Sequence, residues 1–287
     1  ALWPGVHDTA RGPRGDAARG LRADASPAWR TAVAVYVHCC AVIDAAGPAC
    51  VAIKPQLACF ERLGAPGWEA LGDVVEHARH RGLLTIADGK RGDIAVSATA
   101  YAEALFERLR VDLATVNPLL GRDAVEPFVT VARAAGAGVL VLVRTSNPGA
   151  ADVQDLELAA SAQGSTDRSS PTTVWERLAV LVEELGTEGV GKTSGLSDVG
   201  AVVGATQPQH LARARELMPH AVLLLPGVGA QGGRVEDLEA AFAPGRAGGL
   251  ITASRSIAGA HLATGGDPAE AARAEAERLR ATAWALG

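Results

Sequence analysis

Aromatic residues are scarce in this 287-residue chain, at 4% of the total, and there is a single Met. Any core must be filled by aliphatic side chains, and 48% hydrophobic residues suffice for a large one, which excludes a disordered chain. Cysteine is limited to Cys39, Cys40, Cys50 and Cys59, all early and without a Cys-x-x-Cys, so neither a disulfide framework nor a zinc site is expected. They read as small buried hydrophobes of a reducing cytoplasm. The seven histidines are scattered, and none pairs at metal-ligand spacing. No apolar run approaches the roughly 18 residues of a membrane span. The first thirty residues, polar and broken by Gly and Pro, do not read as a signal peptide. A net charge of −5 argues against nonspecific nucleic-acid binding, although a local field can still favour an anionic ligand. No Gly-x-Gly-x-x-Gly turn follows the first strand-like run, as a dinucleotide-binding open sheet would require, and there is no internal repeat.

What is present is an alternation of short apolar runs and helix-length segments. The runs lie near 1–6 (poorly defined) and at 50–53, 83–87, 113–116, 138–143, 199–204, 221–225 and 248–252. They are continuously apolar, as parallel strands buried on both faces are. Helix starts are signalled by Ser26-Pro27, by the capping-box spacings Thr173-Val-Trp-Glu176 and Thr206-Gln-Pro-Gln209, and by Asp267-Pro-Ala-Glu270. About eight β–α units in one chain of this length predict a single α/β domain over 1–287, a (β/α)8 TIM barrel. An irregular segment at 7–25 and a lid loop at 149–171 interrupt it.

In such a barrel the site lies at the C-terminal ends of the strands. Those ends carry Lys54, then Asp88, Lys90 and Asp93, then Asn117, Thr145, Ser146 and Asn147, then Thr206 and Gln207, then Gln231, and finally Ser254 and Arg255. The densest stretch is Asp88-Gly-Lys-Arg-Gly-Asp93, where Asp88 and Lys90 would point the same way on an extended backbone. Charge crowded at a buried strand end is costly unless compensated, so it marks a site; a surface ion pair is the plainer reading. The Gly-rich turn Pro226-Gly-Val-Gly-Ala-Gln-Gly-Gly233 offers N–H groups to an anion, and Arg255 follows the last strand. Together they predict phosphate binding after strands seven and eight, with helix capping by Ser254-Arg255-Ser256 as the alternative.

Several segments carry a resemblance. They are Ile53-Lys-Pro-Gln56, Asp88-Gly-Lys-Arg-Gly-Asp-Ile94, Thr115-Val-Asn-Pro118, Gly121-Arg-Asp-Ala-Val-Glu-Pro127, Val143-Arg-Thr-Ser-Asn-Pro-Gly149, Val199-Gly-Ala-Val-Val-Gly-Ala-Thr206, Pro226-Gly-Val-Gly-Ala-Gln-Gly-Gly233 and Ser254-Arg-Ser-Ile257. In this order they resemble the orotidine 5′-phosphate decarboxylase family, in its longer bacterial form. The resemblance implies a homodimer that turns orotidine 5′-phosphate into uridine 5′-phosphate without metal or organic cofactor. It binds a nucleoside monophosphate and neither nucleic acid nor membrane. It implies a catalytic array of Lys54, Asp88, Lys90 and Asp93, with Lys90 as proton donor and Asp93 reaching into the neighbouring subunit's site. Ile94, Ser97, Ser146, Pro226, Gln231 and Arg255 would bind substrate, Ser146 at the pyrimidine and Gln231 with Arg255 at the phosphate. The family's first strand ends in Gly-x-Asp-Pro, whose Asp contacts the ribose. Here the stretch reads Gly5-Val6-His7-Asp8, so either His7 replaces that Asp or Asp8 serves after a one-residue slip, which on a strand turns the side chain to the other face. Gly89 stands where Ala is usual. His7 and Gly89 motivate one alternative, a relative acting on a modified nucleotide in secondary metabolism; another is a catalytically silent nucleotide-binding protein, against which the intact Lys54, Asp88, Lys90 and Asp93 speak. The sugar-phosphate branch of the superfamily shares Asp-x-Lys-x-x-Asp but binds magnesium; Arg91-Gly92 and the Gln231 loop fit it less well.

Overall fold

A computed structural model describes residues 2–4, 26–159 and 171–287. Along the chain run α1 (Pro27–Ala46), β1 (Ala52–Ile53), α2 (Leu57–Glu61), α3 (Ala65–His80), β2 (Leu84–Arg91), α4 (Ala95–Glu103), β3 (Leu113–Val116) and α5 (Arg122–Ala134). They are followed by β4 (Gly138–Arg144), α6 (Val174–Gly186), β5 (Val199–Val203), α7 (Gln209–Leu217), β6 (Leu223–Pro226), β7 (Gly249–Thr252), α8 (Arg255–Ala258), α9 (His261–Thr264) and α10 (Pro268–Trp284). Among the described residues, seven strands follow one another in the sheet in chain order. By internal contacts the chain divides into two units, Ala1–Gly89 with Ser254–Arg280 and Lys90–Ala253 with Ala281–Gly287.

In the first unit, α1 starts as the sequence signals. The Ser26 hydroxyl accepts the Trp29 N–H at 3.3 Å, and Pro27 occupies the first turn, where a missing N–H costs nothing. The expected first strand does not appear at residues 2–4, and its other residues lie outside the described ones. Trp3 is a core anchor instead. It is buried with Val33, Ala34, Ala45 and Ala272, it meets the rings of His38 and His261 edge-on, and its indole N–H donates to Ala258 O at 2.6 Å. The expectation of no membrane-length apolar run needs correction. Residues Pro27–Ala49 reach a mean hydropathy of 1.5 over a sufficient length, because single polar residues such as His38 and Asp44 barely dilute the stretch. That helix supplies Val33, Ala34 and Ala45 to the core around Trp3. The cysteines are free thiols; three are half-buried, but Cys59 is exposed, against expectation. Burial, helped by the Cys40 and Cys59 thiols, pushes the Cys39 thiol up to about 12.

Within the second unit the continuous apolar runs are parallel strands. Leu113 registers with Gly138, Val139 with Val199, Ala201 with Leu223, and Leu223 with Gly249. All five residues of β5 are buried. Helix α6 has the expected capping box: Glu176 N–H donates to the Thr173 hydroxyl at 3.4 Å, and Thr173 N–H to the Glu176 carboxylate at 3.2 Å. Thr206 is not a cap, since α7 begins only at Gln209 and the Thr206 hydroxyl donates to Ser146 O at 3.2 Å. On α7, buried Arg215 donates to the carbonyls of Met218 (2.9 Å), Pro219 (3.4 Å), Ala221 (2.7 Å), Ala241 (2.7 Å) and Gly248 (3.0 Å). Burial lowers its pKa to about 10, which leaves it charged at neutral pH. One guanidinium thus ties the end of α7 to the approaches of β6 and β7. The flanks of the expected lid are joined by an antiparallel bridge between Glu157 and Thr173, with Leu158 N–H donating to Thr172 O at 2.9 Å. Residues 160–170, and the 7–25 segment with His7 and Asp8, lie outside the described residues.

Candidate active site

In the first unit, β1 and β2 run parallel with Ala52 opposite Leu84, which carries Lys54 and Asp88 to the same strand ends. Asp88 N–H donates to Pro55 O at 3.0 Å, and the Lys54 ammonium forms an ion pair with the Asp88 carboxylate. Asp88 is only 6% exposed, so the pair satisfies a carboxylate that would otherwise be costly to bury. Arg255, at the start of the four-residue α8, is exposed in this unit.

Two residues beyond Asp88, the second unit begins. Here the expectation of an extended backbone fails. Lys90 has φ of +48°, in the left-handed region, so Asp88 and Lys90 do not follow simple strand alternation. For a residue with a side chain this conformation costs about 1–2 kcal/mol. Five residues on, Ala95 at the start of α4 also has φ of +48°. Neither position is a glycine, and strain held in such a short segment is characteristic of functional sites. Asp93 is half-buried and its carboxylate accepts the Ile94 N–H at 2.8 Å, while Ile94 and Ser97 are exposed.

A second cluster in this unit joins Ser146 and Gln231, which are 85 residues apart. The Ser146 hydroxyl donates to Gln231 Oε1 at 3.1 Å. Ser146 lies against Gly204, where an added Cβ would come within 2.7 Å of its Cα, so the close approach depends on glycine. Pro226 ends β6, and its carbonyl accepts the Ala205 N–H at 2.8 Å. The Gly-rich turn after it is less available to an anion than its composition suggests. The N–H groups of Gly229, Gly232 and Gly233 donate to carbonyls of the turn itself.

A model of the orotidine 5′-phosphate decarboxylase / HUMPS family matches residues 36–274. The chain belongs to this family. Among curated relatives, the orotidine 5′-phosphate decarboxylase of Rhodopirellula baltica is 44% identical over 237 residues, covering 80% of this chain and 74% of its own length. That of Deinococcus radiodurans is 45% identical over 240 residues, 83% of this chain and 82% of its own. The solved OMP decarboxylase of Leishmania donovani matches with a TM-score of 0.69 at 32% identity, over 88% of this chain and 89% of that one. With parallel strands in chain order and helices between them, the fold is the (β/α)8 barrel expected from the sequence.

Beside the residues the family resemblance singled out, the structure adds a brace behind Ser146. Arg144, 4% exposed at the end of β4, makes a two-pronged contact with Asp155 at 2.7 and 2.8 Å. Its hydrogen bonds hold the Asp155 carboxyl below the usual range. Thr145 N–H donates to the Gln154 side chain at 2.8 Å. The residues on either side of the Ser146 turn in this decarboxylase-family chain are thereby tied to one another. The sequence signal was present as an Arg inside an apolar strand end, which has to find a partner when buried.

Proposed function

We propose that the chain is a carboxy-lyase that converts orotidine 5′-phosphate to uridine 5′-phosphate, a step of pyrimidine nucleotide synthesis. Membership of the family and the names of its relatives support the reaction. The observation that carries the finer reading is the Lys54–Asp88 ion pair, with Lys90 two residues further along the same strand. In this reading the bond from C6 to the carboxylate breaks, CO2 leaves, and the electron pair stays on C6, where resonance gives little help. The Lys90 ammonium stabilises that charge as it develops and then gives C6 a proton, which it regains from solvent. Asp88 faces the departing carboxylate, and Lys54, paired with Asp88, holds it in place. Ser146 meets the pyrimidine, Gln231 and Arg255 the phosphate, and Ile94, Ser97 and Pro226 line the nucleotide.

The array needs no metal or organic cofactor. Asp93 serves the site of a second copy, making the active form a homodimer within a single-barrel architecture, working in the cytoplasm. Exposed Ile94, Val96, Tyr101, Leu119 and Leu120, on and around α4 and the start of α5, support such a surface. Val96 is 82% and Leu119 72% exposed, and apolar side chains so placed gain from being covered. Purified protein mixed with orotidine 5′-phosphate should lose the orotate absorbance and yield uridine 5′-phosphate at the same rate with and without a chelator. No turnover despite binding of a uridine-phosphate analogue would overturn the reaction. Loss of turnover on chelation would overturn the cofactor-free reading.

A further inference from the structure

Strand β3 reads Leu113-Ala-Thr-Val116 and is apolar but for Thr115, which is 1% exposed. A hydroxyl buried there is costly unless it is bonded. Its oxygen accepts the Lys90 N–H at 2.9 Å. In a regular parallel ladder such an N–H donates to a carbonyl of the neighbouring strand. The left-handed backbone at Lys90 departs from that geometry, and the Thr115 hydroxyl takes over as acceptor. The ladder resumes one residue later, where Asn117 N–H donates to Arg91 O at 2.7 Å. The next residue, Gly92, lies so close to Asn117 that an added Cβ would sit 2.9 Å from its carbonyl oxygen. Residues 90–92 are therefore gripped in turn by a side chain, a backbone donor and a close contact from β3 and the residue that follows it.

We propose that Thr115 is a positioning residue for the reaction: its hydroxyl holds Lys90 in the left-handed conformation and so aims the Lys90 ammonium at C6. The inference rests on the reading of Lys90 as proton donor. Without the hydroxyl, the hydrogen bond from the Lys90 N–H is lost and the strained backbone is drawn toward an extended form, which redirects the side chain. Proton delivery depends steeply on such geometry, whereas the phosphate contacts that dominate nucleotide affinity are elsewhere.

The test compares Thr115→Val, which keeps the branched shape and removes the hydroxyl, with Thr115→Ser, which keeps the hydroxyl. Thr115→Val should lower kcat for orotidine 5′-phosphate by about 10- to 100-fold and leave KM within about twofold, while Thr115→Ser retains most of kcat. Should Thr115→Val fail to fold, Thr115→Ala against Thr115→Ser, at a temperature where both are folded, gives the same comparison. Equal kcat in the variants with and without the hydroxyl, beside an active wild type, overturns the inference alone. An equal fall in both, in step with lost stability, marks a merely structural role and overturns it too. A wild type without turnover removes the functional reading and this inference with it.

Discussion

Lys90→Ala should abolish turnover while nucleotide binding persists. In the proposed reaction the substitution removes both the cation beside the developing carbanion and the proton that quenches it. Loss of a well-placed electrostatic stabiliser typically costs about 100- to 1,000-fold, and loss of a general acid about 100- to 10,000-fold. Because the proposal gives one group both roles, the expected fall in kcat is at least about 10,000-fold, or some 5.5 kcal/mol of barrier. Binding of uridine 5′-phosphate should change little, since the proposed contacts of Ser146, Gln231 and Arg255 remain. The Ser146–Gln231 hydrogen bond lies at a different set of strand ends from Lys90 and does not depend on its side chain. The substitution also relieves little strain, because alanine at φ of +48° meets the same backbone penalty as lysine. Steady-state kinetics together with calorimetric binding of the product separate the two effects. Near-normal kcat in a correctly folded Lys90→Ala protein would reassign the proton donor.

Arg215→Leu should produce the largest loss of stability, with no direct effect on the site chemistry. The guanidinium donates to five carbonyls drawn from the end of α7, the approach to β6, the segment Val235–Phe242 and the approach to β7. Leucine fills much of the volume and leaves those acceptors without their donor. Each buried group so stranded costs about 1–3 kcal/mol, and relaxation offsets part of the sum, so the expected loss is about 3–6 kcal/mol. For a chain of this size that lowers Tm by roughly 5–10 °C. Arg215→Lys should recover less than half of it, because an ammonium has three donors at one point and cannot span the set. Thermal and urea unfolding read the loss, and kcat per folded molecule below the transition should stay near wild type. A loss under about 1 kcal/mol would mean that these carbonyls find water or other donors.

The strands were legible because parallel strands buried on both faces must be apolar throughout. The run at 113–116 coincides with β3, while β2 extends four residues beyond the apolar stretch, to Arg91. That extension was hidden because its last residues are charged or glycine, unlike the apolar run before them. The juxtaposition of Lys54 with Asp88, and of Ser146 with Gln231, follows from strand ends meeting, which the barrel reading anticipates. The conformation of Lys90 was not legible. Left-handed backbone is read from Gly or Asn, and the sequence places lysine there, held by a threonine 25 residues away. The spacing around Thr206 is that of a helix cap, yet its hydroxyl serves the Ser146 turn, since spacing alone does not reveal whether a hydroxyl accepts a helix N–H or donates to a nearby carbonyl. The Gly-rich turn has the composition of an anion cradle, yet part of its N–H set closes the turn itself.

The central claim is that Lys54, Asp88, Lys90 and Asp93 act as one array, with Asp93 supplied by a second copy of the chain. Subunit mixing tests it most directly. Lys90→Ala and Asp93→Ala chains, each inactive alone, are mixed and allowed to exchange, and turnover of orotidine 5′-phosphate is measured. A mixed dimer then holds one site lacking both groups and one site with both intact. Random exchange of equal amounts makes half of the dimers mixed, so the expected activity is about one quarter of wild type per chain. No recovered turnover, with exchange independently confirmed, would contradict the shared array.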